Sequence, residues 1–188
     1  PPEDKRDVRM ISKQLGIQVK TIDIAPLLKP FRGVLRPHSL ALANLKARIR
    51  MCILYYHANA RRALVVGTGN RSELRMGYFT KYGDGGCDLL PLGALYKTQV
   101  KALARYLGVP QSIIEKTPSA GLWPGQTDEA ELGLSYEVLD RVLVALDLGF
   151  APAEIARALH VPLAVVRKVI RREASNQHKL SPPVVPVL

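Results

Sequence analysis

Val8, Ile11 and Leu15 recur at helical spacing and predict an amphipathic helix over residues 3–15, stopped by Gly16. Residues 17–24 alternate in polarity and are rich in β-branched types, which predicts a strand. A loop containing Pro26, Pro30 and Pro37 follows, and Ser39 is suited to cap a long helix over residues 40–58. The short apolar run 62–67, closed by Gly67, predicts a buried strand. Strand, helix and strand in this order form a βαβ unit, which implies a parallel sheet and a right-handed crossover. Ligands in such sheets bind at the carboxyl ends of strands, which directs attention to the residues after Val66.

A glycine-rich loop runs to Gly93, and residues 96–107 predict a helix stopped by Gly108 and Pro110. Further helices are predicted over 135–148, 152–159 and 162–174, ahead of a proline-containing, aperiodic tail from Leu180. The length suits one domain with a substantial core, here divided into a sheet portion with its loop (1–95), a helical region (96–175) and a tail (176–188).

Composition narrows the class. Hydrophobic residues make up 47% and charged residues 23%, the balance of a soluble globular protein. No apolar run is long enough to span a bilayer. Cys52 and Cys87 form neither a disulfide framework nor a metal-ligand cluster, so a reducing cytoplasm is the default setting. The net charge of +11 favours anionic partners without saying which.

The chemistry concentrates between Gly67 and Asp88. Gly67, Thr68 and Gly69 stand where a strand should end and let a ligand approach the backbone. The Thr68 hydroxyl can bond a base or a phosphate. The Glu73 carboxylate can take a magnesium ion carried by phosphates. Lys81 and Asp88 bracket a loop containing Gly83, Gly85 and Gly86. A short stretch of this kind, taken alone, is equally a tight turn with solvated charges. Asn44 and Arg48 share a helix face with Cys52, a polar pair on an apolar stripe that calls for a partner.

The whole string is more specific. Gly-Thr-Gly-Asn-x-Ser-Glu from Gly67, then Gly-Tyr-Phe-Thr-Lys-Tyr-Gly-Asp-Gly-Gly-x-Asp from Gly77, is similar to the signature of NAD synthetases. The likeness continues through Lys97, Pro118-Ser119-Ala120-x-Leu122-Trp123, and Gln126 to Tyr136. It implies a doubly wound parallel α/β sheet with a helical C-terminal region. It also implies ATP- and Mg²⁺-dependent amidation of deamido-NAD with ammonia, through an adenylated intermediate, by a cytoplasmic homodimer. On this resemblance Thr68, Lys97 and Ser119 contact ATP, and Glu73 ligates Mg²⁺. Arg48, Lys81, Asp88, His178 and Lys179 contact deamido-NAD. Ser119 stands where the family usually has Thr and keeps the hydroxyl. Lys97 falls in the first turn of its helix, where the macrodipole disfavours a cation, and a phosphate at that helix end would offset the penalty.

The family's Ser-Gly-Gly-x-Asp-Ser phosphate loop is not in the sequence, and Pro1–Asp4 resembles the family segment after the second strand. The expectation is that the first strand, that loop and the next helix lie outside these residues. These 188 residues alone are then expected to form no NAD, for want of the pyrophosphate cradle and one metal ligand. Two other readings compete. Residues 151–172 resemble a basic helix-turn-helix carrying Arg167, Lys168, Arg171 and Arg172, which suggests nucleic-acid binding. A relative of GMP synthetase would share the adenylation chemistry but not the Tyr-Phe-Thr-Lys-Tyr-Gly-Asp-Gly-Gly string.

Overall fold

The computed structural model describes residues 2–123 and 125–186, without the side chains of Pro2 and Glu3. It is built from helices: α1 (Pro2–Leu15), α2 (Ala25–Val34), α3 (Ser39–Arg61), α4 (Arg71–Arg75), α5 (Lys97–Tyr106), α6 (Gln111–Ile114), α7 (Asp128–Leu132), α8 (Tyr136–Asp147), α9 (Pro152–Ala158) and α10 (Leu163–Asn176). A 3₁₀ turn over Gln177–Lys179 closes α10.

The helices predicted by periodicity stand close to their expected bounds, α2, α4, α6 and α7 arise in segments read as loops, and the predicted strands are not formed among the described residues. Residues 17–24 hold no regular structure, and Ile17 and Val19 are about half exposed. Residues 62–67 contribute one residue, Val66, to an isolated parallel bridge with Leu89. Gly67 donates to the Leu89 carbonyl at 2.8 Å and Asp88 to the Val65 carbonyl at 2.9 Å. Among the described residues there is therefore no sheet, and the expected βαβ unit is not realised. A β-pattern specifies a face but not a partner, and a strand exists only through its neighbours.

Two further expectations are corrected. The segment expected to be a proline loop holds α2, which accepts Pro26 in its first turn and Pro30 inside. Proline is tolerated at a helix start because that N–H lacks an intrahelical acceptor anyway. The cap of α3 is His38, whose Nδ1 accepts from the Ala41 amide at 3.2 Å, and Ser39 is already helical.

The main core lies around α8. Tyr136, Leu139, Val142 and Leu143 follow the helical repeat and are fully buried. They meet Met76 beside α4, Tyr96 before α5, Leu132 of α7, Ile155 of α9, and Val166 and Val169 of α10. Each such apolar side chain contributes about 1.5–3 kcal/mol of burial. Arg75 of α4 adds polar ties, donating to both oxygens of Glu173, to Asp147 and to the Leu143 carbonyl. This body fixes α4 and α5, which carry the first residues of the site. No helix among the described residues is long and apolar enough to cross a membrane.

Candidate active site

Gly67 closes the bridged segment at a point where a larger residue would have to displace its neighbours. A Cβ there would stand 2.5 Å from Cys87 Sγ and 2.7 Å from Leu90 Cδ2. Two residues after Thr68, Asn70 opens α4 with a reciprocal capping box: its side chain accepts from the Glu73 amide at 3.1 Å, while Glu73 Oε2 accepts from the Asn70 amide at 3.0 Å. The cap fixes Glu73 at the helix start and leaves Oε1 to Lys97 Nζ, 2.9 Å away. Lys97 Nζ also lies 5.2 Å from the centre of the Tyr136 ring.

The glycine loop is held by its own turns. Thr80 N–H donates to Asp84 Oδ1 at 2.9 Å, and Thr80 Oγ1 donates to Asn44 Oδ1 at 2.7 Å. Arg48 Nε donates to the Lys81 carbonyl at 3.3 Å. The polar pair on α3 therefore finds its partners in this loop. The tail closes the other side: Lys179 Nζ donates to the carbonyls of Gly77 at 2.6 Å and Phe79 at 3.1 Å. Lys81 Nζ donates to the carbonyls of His178 and Ser181. Burial, with the Arg172 guanidinium nearby, lowers the Lys179 pKa.

Two large cavities adjoin here. One, of about 900 Å³, runs between α5, α6 and the 116–128 segment, and Thr68, Glu73, Lys97 and Ser119 all line it. The other, of about 560 Å³, lies between α3 and the glycine loop and ends at Lys179. They share a wall made by Thr68, Tyr78, Asp84, Ala120, Trp123 and Gln126.

The nine residues singled out in the sequence thus divide. Four share the larger cavity and Lys179 lines the smaller. Arg48, Lys81 and His178 are linked to one another where the tail meets the glycine loop, but line neither cavity. Asp88 is engaged elsewhere: it accepts from Tyr55 Oη at 3.0 Å and from the Val65 amide at 2.6 Å.

Sequence reasoning passed over Asp84 and Asp128, although both stand inside the strings that carry the resemblance. Asp84 lines both cavities. Asp128 is buried in the larger cavity's wall and accepts from Tyr136 Oη at 3.0 Å. Burial raises the Asp128 pKa, against the Tyr136 hydrogen bond and the Lys97 charge. Burial likewise raises the Tyr136 and Tyr78 hydroxyls, with the Asp128 carboxylate adding to both. Asp128 Oδ1 and Tyr78 Oη have no hydrogen-bond partner. The signal for Asp128 was its place at a helix start, directly after the Thr127 cap.

Two clefts thus meet at one shared wall. The NAD synthase family model matches residues 1–183, and the chain belongs to that family. It is 48% identical over 190 residues to the NH(3)-dependent NAD(+) synthetase of Methanocaldococcus jannaschii, covering 98% of this chain and 73% of the relative. Its identity to the protein of the same name from Methanosarcina acetivorans is 46% over 193 residues, covering 100% and 75%. The solved structure of an NMN synthetase from Francisella tularensis superposes with a TM-score of 0.87 at 35% identity, covering 100% of this chain and 74% of that one. Family membership also removes the helix-turn-helix reading. The α9–α10 hairpin belongs to the core, and Arg172 turns inward to the carbonyls of Met76 at 3.3 Å and Glu131 at 3.1 Å.

Proposed function

We propose that the protein is an ammonia-dependent NAD synthetase, a ligase that amidates the nicotinate carboxylate of deamido-NAD at the expense of ATP. The observation that carries this reading is the wall shared by the two cavities, beside the cluster of Thr68, Glu73, Lys97 and Ser119. ATP takes the larger cavity, with Lys97 and the Thr68 and Ser119 hydroxyls on its phosphates and ribose. Deamido-NAD takes the smaller, with Lys179 inside and Arg48, Lys81 and His178 on the adjoining loop and tail. Asp88 acts at one remove, by holding the end of the Val65 segment.

Chemistry follows from the adjacency. A carboxylate oxygen of the nicotinate attacks the α-phosphorus, and pyrophosphate leaves with the electron pair of the broken P–O bond. Ammonia then attacks the acyl carbon, the C–O bond breaks, and AMP leaves as the amide forms. The chain's part is to align the reactants and match the developing charge. Among the described residues no cluster of three or more His, Cys, Asp or Glu is arranged to hold a metal by itself. Glu73 fits a magnesium ion that arrives on the triphosphate, since such ions take one or two carboxylates and keep phosphate and water ligands. An ion held there by Glu73 would supply neutralisation of phosphate charge.

The same proposal includes a cytoplasmic homodimer and a doubly wound parallel sheet; for the sheet, the parallel sense of the single Val66–Leu89 bridge is the support. Protein isolated from its own cells should convert deamido-NAD, MgATP and ammonium into NAD, AMP and pyrophosphate in equal amounts. Turnover of xanthosine monophosphate in place of deamido-NAD would overturn the proposal. The likeness to an NMN synthetase makes nicotinate mononucleotide the first competing substrate to assay. Trp123, the single tryptophan of the chain, lines both cavities and supplies a fluorescence signal for each ligand separately.

A further inference from the structure

Glu73 and Lys97 stand on different helices, and something must hold those helices in register. Ser72, directly before Glu73, is fully buried, and Asp140 of α8 is 3% exposed. Ser72 Oγ donates to Asp140 Oδ1 at 2.5 Å and accepts from the Lys97 amide at 2.9 Å. Asp140 Oδ2 accepts from the Thr98 amide at 2.8 Å. The first two N–H groups of α5 therefore end on this Ser–Asp pair.

This has two effects. The start of α5 already has its anion, the Asp140 carboxylate, which offsets the macrodipole penalty of Lys97 from within the protein. Two N–H groups of that helix end, those of Lys97 and Thr98, are met from within the protein, and the Lys97 side chain is left to meet a phosphate. Second, one hydroxyl ties the backbone of Lys97 to the residue beside Glu73. The side chains of both then converge on the larger cavity's wall, 2.9 Å apart.

We propose that Ser72 and Asp140 are positioning residues for the triphosphate of MgATP, acting through the backbones of Glu73 and Lys97. The proposal rests on the placement of ATP in the larger cavity. Neither residue lines either cavity, so neither touches the nucleotide. A buried hydroxyl and carboxylate that do nothing but stabilise the core would affect both ligands alike. A positioning pair affects one.

The test is calorimetric binding of MgATP and of deamido-NAD, each alone, to the full chain and its variants. Ser72→Ala removes both bonds of the hydroxyl and should weaken MgATP about tenfold, the scale of one lost hydrogen bond to a charged partner. Asp140→Asn keeps the shape and an acceptor but loses the charge, and should weaken MgATP by about threefold to tenfold. Ser72→Thr restores the hydroxyl and should recover most of the affinity. Deamido-NAD affinity should stay within about twofold throughout. Unchanged MgATP affinity in Ser72→Ala, or equal losses for both ligands, overturns the proposal. If Ser72→Ala fails to fold, the near-isosteric Asp140→Asn decides by the same criterion. Failure of the unaltered chain to bind MgATP also overturns it. NAD formation is followed on separate samples of the protein from its own cells. MgATP binding with the expected variant losses but no NAD would sink the proposed function and leave this inference standing.

Discussion

Residues 2–62 and the body around α8 use similar amino acids to different ends. In the first region α1 and α2 are amphipathic, yet Leu28 is the one buried hydrophobic residue on them among the described side chains, and Val34 is 80% exposed. Around α8, ten residues from six segments close into one buried cluster. The difference lies in partners. Helical periodicity prepares a face in both regions, but only the second has helices on several sides to cover it. The site sits at the join: α3 reaches the glycine loop through Asn44 and Arg48, while Glu73 and Lys97 belong to the packed body.

Amide hydrogen exchange should give the largest contrast. Amides of α8 are expected to exchange on the order of a thousandfold more slowly than those of 17–24, because core helices open only with global unfolding. Equal protection would remove the distinction between the regions. Leu139→Ala comes next, with an expected loss of about 2–5 kcal/mol in urea unfolding. Val34→Ala is its control and should change stability by no more than about 0.5 kcal/mol. A comparable loss at both positions would mean that the first region is covered in solution. Arg75→Ala should cost about 1–3 kcal/mol, since it leaves Glu173 and Asp147 without a charged donor that meets both.

The smallest effect is the most diagnostic of the site. Burial raises the Asp128 pKa above its ordinary 3.8, so folding favours the protonated acid. That contribution is fully present below 3.8 and is lost as pH rises through the folded value. Asp128→Asn stays neutral, so its melting temperature relative to the unaltered protein should rise between pH 4 and pH 7. A difference that is flat or falling over that range would contradict the raised pKa.

Much of the helical architecture was legible in the chain. Leu139, Val142 and Leu143 announce α8 by spacing alone, and Gly108 and Pro110 mark the end of α5. The Gly67–Asp88 string pointed to the right family because a long set of chemically constrained positions rarely arises otherwise. Local pattern carried less at 17–24, where alternation promised a strand, and at 25–34, where prolines concealed a helix that takes one in its first turn.

The sequence by itself determined α5, α8, α9 and α10 of the body, the family, and a candidate list in which Thr68, Glu73, Lys97 and Ser119 belong together. Periodicity and residue chemistry are local, and these features depend on them. Only the tertiary structure decided that Ser72 and Asp140 meet the first two N–H groups of α5, and that the Asp88 carboxylate meets the Val65 amide. These outcomes depend on which groups meet across 23 to 68 positions of chain, and no local pattern encodes that distance.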